Sequence, residues 1–178
     1  MKRCLSRLVI WIAVSCLLGV SNHTARAGMP PADETDPPEG NLAIMVNTSN
    51  PVDDLSLPEL RKVFLGERSH WPNGRRITLV MLEPGQPERK ALIREVCQMT
   101  ESEFSRHFLQ GVFTGEVLVS PKTLSSPAGA RKFVFNVPGA IGFVRASDVD
   151  SSVKVIRVDG RLPGDKGYGL RIRPKVTE

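Results

Sequence analysis

The sequence predicts an α/β domain, because short apolar runs typical of buried strands alternate with segments whose apolar residues recur at helical spacing. The apolar runs are nearly continuous, which is typical of strands covered on both faces of a sheet. The chain has 178 residues, of which 40% are hydrophobic, and this is enough for one ordinary domain with a core. We therefore expect a small sheet that is largely buried between helices.

Four segments are expected to form the strands of this sheet. Three of them are apolar runs, at residues 42–46, 77–82 and 140–144, each bounded by polar or turn-forming residues. The fourth, residues 153–158, alternates apolar and polar side chains and predicts an edge or half-exposed strand.

Capping residues mark where the helices begin. Ser56 with Glu59, and Thr100 with Glu103, have the spacing of capping boxes. Ser126 precedes a proline, which is typical of the first helical position. A further helix is expected to begin near residue 87. In chain order, we predict that these helices end near Gly66, Met99, Gly111 and Phe135.

The first 27 residues have the layout of a secretory signal peptide. Basic residues precede an apolar run at residues 8–20, and Ala25-Arg26-Ala27 forms a small-residue cleavage site. A helix of that run rises about 20 Å, less than the ~30 Å hydrocarbon core of a bilayer. Cleavage and a periplasmic location are therefore expected, with membrane contact only through the uncleaved peptide. A membrane anchor and a lipoprotein site at Cys16 are the alternatives.

The charge of the chain is concentrated in this leader. Residues 1–27 carry four basic and no acidic residues, so the net charge falls from +5 to +1 when they are removed. A nearly neutral mature chain lacks the global positive charge of a nucleic-acid-binding protein. We therefore expect no nucleic-acid partner.

Composition divides the remainder into three parts. Residues 28–40 contain four prolines and four acidic residues, which predicts a disordered linker. Residues 41–158 hold the predicted strands and helices and form the domain. Residues 159–178 are rich in glycine and basic residues, which predicts a tail.

No recognised catalytic motif is present. Cys97 is the only cysteine left after cleavage of the leader, which excludes an intramolecular disulfide and a cysteine metal cluster. His70 and His107 lie far apart and have no ligand-spaced neighbours, so no metal is expected. The adjacent pair Asp53-Asp54 precedes a capped helix, where solvation and favourable interaction with the helix dipole explain it better than acid–base chemistry. We expect a non-enzyme without cofactors.

Three loops carry groups that hold oxyanions in other proteins, namely backbone N–H groups before a helix together with hydroxyl, amide or guanidinium donors. Two of the loops follow predicted strands, where ligands of α/β sheets tend to bind. Capping and turn formation are the alternative role of each loop. The third loop contains Ser125-Ser126. The candidate ligand-binding residues in the first two loops are Thr48, Ser49, Asn50, Gly85 and Arg89.

Three stretches resemble the solute-binding proteins of bacterial phosphate ABC transporters. They are Asn50 to Gly74, which contains L-S-L-P-E-L-R-K-V-F-L-G ahead of a tryptophan, then Phe108 to Gly115, and Val137 to Val144, which contains P-G-A-I-G-F. The resemblance covers roughly residues 42–158. It implies a periplasmic-binding-protein-like (type II) α/β fold, present here as a single lobe with a small mixed sheet flanked by helices.

The resemblance also implies how an anion is held, because members of that family bind phosphate between two lobes through Ser, Thr, backbone and Arg contacts. In this chain the loop after the second strand keeps a matching Gly85 but lacks the hydroxyl donors. Glu83 and Glu88 add negative charge to the loop, while Arg89 offers a bidentate contact.

The leading interpretation is a periplasmic, non-enzymatic solute-binding-like protein that binds phosphate or a similar oxyanion weakly, with an ABC permease or another envelope protein as its partner. The alternative is an envelope accessory module that keeps the lobe fold without binding a ligand. Two readings stay open beside these. One is a homodimer that rebuilds two lobes, and the other is an enzyme whose acidic and histidine side chains meet only in three dimensions.

Overall fold

The computed structural model describes residues 40–118 and 120–173. The predicted signal peptide, and the predicted linker apart from Gly40, lie outside the described residues. In chain order the elements are β1 (Gly40–Val46), β2 (Asp54–Leu55), α1 (Leu57–Phe64), β3 (Thr78–Leu82), α2 (Pro87–Leu92), α3 (Glu101–Thr114), β4 (Lys122–Leu124), α4 (Pro127–Asn136), β5 (Ala140–Arg145), β6 (Lys154–Val155), β7 (Arg157–Val158) and β8 (Arg171–Ile172).

The main sheet is mixed, with strand order β4-β3-β5-β1-β6, and β8 pairs with the beginning of β1. Strands β4, β3 and β5 are parallel, whereas β1 is antiparallel to β5, with Leu42 opposite Arg145 and Val46 opposite Ile141. The strand ends form two opposite edges of the sheet. We call the one at which β3, β4 and β5 end the carboxyl edge, and the opposite one, at which β1 ends, the amino edge. The predicted small mixed sheet flanked by helices is confirmed.

The centre of the sheet is covered on both faces, as the apolar runs predicted. Leu42 to Val46 are all fully buried, and Ala140 to Val144 are buried as well. Phe64 of α1 meets Phe143 of β5 edge to face, with ring centroids 6.0 Å apart. Each fully buried side chain of this size contributes about 1.5–3 kcal/mol, so the sheet centre is the main source of stability.

The predicted helix starts are present with their capping contacts. The Ser56 N–H donates to Glu59 Oε2 at 3.0 Å, and the Thr100 N–H donates to Glu103 Oε2 at 2.7 Å. Ser126 Oγ accepts the Gly129 N–H at 3.1 Å. These bonds satisfy N–H groups that have no partner within the helix. No helix among the described residues is long and apolar enough to cross a membrane.

Two helix boundaries differ from the prediction. The α3 helix runs past Gly111 to Thr114, and Gly115 ends it in the left-handed conformation at φ +76°. Gly111 is buried inside the helix because Val117 folds back onto it, and a β-carbon there would lie 2.2 Å from Val117 Cγ2. Gly111 therefore allows Val117 to approach the helix closely. The prediction that this glycine ends the helix was wrong.

The helix predicted over residues 87–99 changes its winding partway. α2 ends at Leu92, residues Ile93–Cys97 form a π-helical turn, and Gln98 takes a left-handed conformation at φ 55°.

The predicted strand 153–158 is divided into two strands: β6 pairs with β1, and β7 pairs with β2. β4 was not predicted from the sequence. It has only three residues, and two of them, Lys122 and Thr123, are polar.

Residues 159–173 differ from the tail that their composition predicts. Tyr168 is buried, and its hydroxyl donates to the Leu42 carbonyl at 2.7 Å. The Leu42 N–H donates to the Leu170 carbonyl at 2.9 Å, and Ile172 pairs with Gly40. The domain therefore continues through Ile172, because this segment supplies β1 with backbone partners beyond the reach of β6.

Candidate functional site

The structure places the three candidate loops at two different edges of the sheet. β1 is antiparallel to β3, so the loop that begins at Thr48 lies at the amino edge, away from the loop that contains Gly85. The third loop, Ser125-Ser126, follows β4 and lies at the carboxyl edge beside Gly85. The candidate residues therefore form two separate groups.

The amino-edge loop is organised by Asn47, which was not among the predicted site residues. Asn47 Nδ2 donates to the carbonyls of Val134 and Phe135 in α4, at 2.9 and 2.6 Å. Its Oδ1 accepts the backbone N–H of Ser49 at 2.9 Å and the Ser49 hydroxyl at 2.7 Å. The Asn47 amide thus ties the loop to the sheet and the helix, and it occupies donors of Ser49.

Basic residues from distant parts of the chain join this loop. Arg75 Nη1 donates to Ser49 Oγ at 3.2 Å, and Lys154 Nζ donates to the Asn50 carbonyl. Lys154 Nζ also lies 2.8 Å from Asp53 Oδ1, and this hydrogen bond holds the pKa of Asp53 below its usual range. Asp53 is therefore an ionised partner of Lys154 rather than a proton donor.

Asn50 is buried, and its side chain is half satisfied. Its Oδ1 accepts the Val52 N–H at 2.9 Å, whereas Nδ2 has no hydrogen-bond partner among the described residues. Thr48 and Ser49 are exposed. This loop therefore exposes Thr48 and Ser49, with the Ser49 hydroxyl bonded to Asn47 and Arg75, and keeps the Asn50 amide inside the fold.

At the carboxyl edge the chain makes a tight turn before α2. Pro84 and Gly85 occupy its centre, the Gln86 N–H donates to the Glu83 carbonyl at 3.4 Å, and Gly85 adopts φ +95°. This is the pattern of a type II turn, which requires glycine at its third position. The Glu83 N–H donates to the Leu124 carbonyl at 3.0 Å, which holds the turn against the end of β4 and hence near Ser125.

The first turn of α2 has no side-chain cap. Side-chain hydroxyls cap α1, α3 and α4, whereas Gln86 at the start of α2 makes no such bond. Pro87 has no N–H, and the Lys90 N–H donates to the Gln86 carbonyl. The N–H groups of Glu88 and Arg89, both buried residues, are therefore the donors of this turn without an intrahelical acceptor. The turn at Gly85 and the start of α2 are therefore the groups at this edge that are best suited to an anion.

Arg89, the charged residue expected to help bind an anion, instead forms its contacts with groups of the protein itself. Its side chain is only 8% exposed, and Nε and Nη2 each lie 2.7 Å from Glu101 Oε1. Nη1 donates to the Leu82 carbonyl at 2.8 Å, and the guanidinium lies over the Phe104 ring at 5.5 Å. This geometry satisfies the guanidinium with protein groups and links α2 to α3 and to the end of β3.

A second ion pair lies at the carboxyl edge and was not predicted from the sequence. Glu88 is buried, and its Oε1 lies 2.5 Å from Arg145 Nε at the end of β5. The two residues are 57 positions apart in the chain, so no local pattern links them. Because Arg145 neutralises Glu88, the negative charge that was expected to oppose anion binding is reduced to Glu83, which is exposed.

The described side chains that carry acid–base or metal chemistry lie apart. His107 Nε2 contacts the Leu65 carbonyl at 2.9 Å, while His70 Nδ1 contacts Ser69 Oγ at 2.9 Å. No group of three potential metal ligands occurs in residues 40–118 and 120–173. Cys97 is buried, and burial raises the pKa of its thiol to about 12, which keeps it protonated and unreactive.

A small mixed sheet with β1 antiparallel to its neighbour, flanked by helices and with loops at the strand ends, has the single-lobe, periplasmic-binding-protein-like fold that the sequence predicted. The sequence is 28% identical over 130 residues to the phosphate-binding protein PstS of Bacillus subtilis (strain 168). The match covers 70% of this chain and 38% of that relative. No family model matches the chain.

Solved structures show the same fold. A protein from Clostridium perfringens with bound phosphate, assigned as a phosphate ABC transporter substrate-binding protein, has a TM-score of 0.63 at 24% identity, covering 76% of this chain and 54% of that one. An ABC-type phosphate transport receptor from Vibrio cholerae has a TM-score of 0.62 at 22% identity, covering 76% and 55%. The resemblance to phosphate transporter binding proteins is confirmed, and this chain spans about half the length of these structures.

Proposed function

We propose that this chain is an exported, non-enzymatic solute-binding-type protein that binds phosphate or a similar oxyanion weakly at the carboxyl edge of its sheet. The observation that carries the proposal is the uncapped start of α2 at the Gly85 turn, in a fold shared with phosphate-binding proteins. The Ser125-Ser126 loop lies beside this turn and adds hydroxyl groups.

The affinity is expected to be low because the strongest positive charges at this edge are paired. Arg89 is held by Glu101, and Arg145 contacts Glu88. An anion is then held mainly by backbone N–H groups and hydroxyls, each of which contributes about 0.5–1.5 kcal/mol net. In this proposal Gly85 contacts the ligand, Arg89 positions α2, and Thr48, Ser49 and Asn50 belong to the other edge.

Isothermal titration with phosphate, sulfate and chloride tests the proposal. We expect heat with phosphate at millimolar concentration and a rise in Tm that saturates with ligand. Absence of both responses would remove oxyanion binding as the function.

Two matched variants locate the site. Ser125→Asp and Thr48→Asp each add one negative charge at an exposed loop, but at opposite edges of the sheet. We expect Ser125→Asp to abolish the phosphate signal and Thr48→Asp to leave it unchanged. The reverse result would place the site at the amino edge, beside Arg75.

The export part of the proposal rests on the leader and on the relatives. Mass spectrometry of the protein recovered from a periplasmic extract is expected to show a chain that begins at Gly28. A full-length chain that remains with the membrane fraction would favour an anchor instead.

A second candidate function, an envelope accessory module without a ligand, is favoured by the internal use of Arg89. It predicts no response to oxyanions and a stable protein partner in a periplasmic pull-down. Excess phosphate should not release that partner. A permease subunit that is released by phosphate would instead support the solute-binding function.

A further inference from the structure

The hairpin that joins α1 to β3 carries the pair Asn73-Gly74 at its tip. The Gly74 N–H donates to the Trp71 carbonyl at 2.9 Å, and the Trp71 N–H donates to the Arg75 carbonyl at 2.8 Å. Gly74 takes a left-handed conformation at φ +77°, which is the pattern of a type I turn closed by a glycine bulge. Trp71 is buried, whereas Asn73 and Gly74 are exposed. The base of the hairpin is therefore fixed in the core and its tip is open to water.

The Asn73 side chain is held against the backbone that follows it. Its Oδ1 accepts the Arg75 N–H at 3.1 Å. A contact with the N–H two residues on folds the side-chain carbonyl back along the chain, towards the Gly74 nitrogen. The same contact polarises the carbonyl and so favours attack of a nucleophile on its carbon.

Gly74 leaves this approach free of steric hindrance. A β-carbon added at Gly74 would meet no atom of a non-adjacent residue within 4 Å, and glycine itself has none. The other described asparagines precede a larger side chain or, at Asn50, a proline that has no N–H. Asn73 is therefore the described asparagine whose amide is best placed to react with the nitrogen of the next residue.

We propose that Asn73 is a site of spontaneous deamidation in the folded protein. The Gly74 nitrogen gives its proton to solvent and attacks Asn73 Cγ, while the Arg75 N–H donates to the oxyanion that forms on Oδ1. The bond between Cγ and Nδ2 then breaks, and Nδ2 takes a proton from solvent and leaves as ammonia. Water opens the resulting succinimide ring at either of its carbonyls and yields aspartate or isoaspartate.

The modification places a new carboxylate beside an arginine at the amino edge. Arg75 is exposed, donates to Ser49 Oγ at 3.2 Å, and has no carboxylate partner among the described residues. The product offers Arg75 an ionic partner two positions away, which competes with Ser49 for the guanidinium. Isoaspartate also lengthens the backbone by a carbon atom and so displaces Gly74 from the Trp71 carbonyl. The age of the molecule is thus recorded as charge at the edge opposite to the proposed oxyanion site.

Peptide mapping of the folded protein, kept in mildly alkaline buffer, tests the proposal. Trypsin releases residues 69–75 as one peptide. Its mass reports aspartate formation, and its methylation by an isoaspartate methyltransferase reports isoaspartate. We expect Asn73 to convert at least about tenfold faster than Asn136 in the same sample. Asn136 is the matched internal control, because it is exposed but precedes the β-branched Val137.

A sample held in urea shows whether the folded hairpin itself reacts. The bond from Gly74 to the Trp71 carbonyl opposes loss of the Gly74 proton, so the folded rate should lie below the urea rate by no more than about tenfold. Asn73→Gln should remove the conversion, because a longer side chain closes the ring less readily. Asn73→Asp should reproduce the acidic form on ion exchange. Conversion in urea alone, equal rates at Asn73 and Asn136, or an acidic form that persists in Asn73→Gln would each overturn the proposal.

Discussion

Replacement of Arg89 by methionine separates a structural role of this arginine from a ligand-binding one. The guanidinium is nearly buried, and its contacts are Glu101, the Leu82 carbonyl and the face of Phe104. Methionine keeps much of the apolar volume over Phe104 but removes every hydrogen bond and the charge. The variant therefore leaves Glu101 without its partner.

The contacts set the size of the effect. Loss of one partner of a fully buried ion pair costs about 3–5 kcal/mol. The Glu101 side chain is 34% exposed, although its Oε2 atom is buried without a partner among the described residues, and for this partial exposure we reduce the expected loss to about 2–3 kcal/mol. For a chain of this length, that corresponds to a fall in Tm of roughly 5–10 °C.

Urea unfolding of the wild type, Arg89→Met, Glu101→Gln and the double variant measures this loss. The double variant should recover about 1 kcal/mol relative to Arg89→Met, because it no longer holds an unpaired carboxylate. Affinity for phosphate should change less than about threefold in Arg89→Met. Unchanged stability combined with a loss of phosphate binding would refute the structural role and return Arg89 to the ligand site.

Three further outcomes follow from the core. Gly111→Ala should destabilise the protein by about 1–3 kcal/mol, although such a substitution usually stabilises a helix, because the new β-carbon meets Val117. In urea unfolding, Val117→Ala in the same chain should recover most of that loss. Stability should fall as the pH rises above about 9, where the unfolded Cys97 thiol ionises while the folded thiol, with a pKa of about 12, does not. Cys97→Ala should flatten this dependence in urea midpoints measured from pH 8 to 10.5, and an unchanged slope would contradict it. Tyr168→Phe should cost about 1–2 kcal/mol, because it leaves the Leu42 carbonyl without a donor; an unaltered thermal midpoint would show that the hydrogen bond adds nothing.

Local sequence signals predicted the helices and strands well where the interactions that form them join residues only a few positions apart. Capping residues such as Ser56 and Thr100 act within three positions of themselves, so their effect is visible in the sequence. The apolar runs that became β1, β3 and β5 are buried on both faces and therefore show no alternation. The π-helical turn after Leu92 left no local signal.

The candidate site was less predictable, because direction and pairing within a sheet are tertiary properties. Thr48 and Gly85 both follow strands, and the expectation that such loops lie together holds only when the strands are parallel. Arg89 has the chemistry of an anion ligand, but Glu101, twelve positions away, occupies it. Arg75, near Ser49 across the amino edge, became visible only in three dimensions.

The sequence by itself determined the α/β class, the order of the main strands and helices, and the resemblance to phosphate-binding proteins. These depend on hydrophobic periodicity and on contacts over a few residues. The tertiary structure alone decided which loops share an edge, that the buried charges at the carboxyl edge are paired, and that Leu109 and Phe113 face solvent. The physical reason is that strand direction, ion pairing and burial arise between residues tens of positions apart, where chain periodicity carries no information.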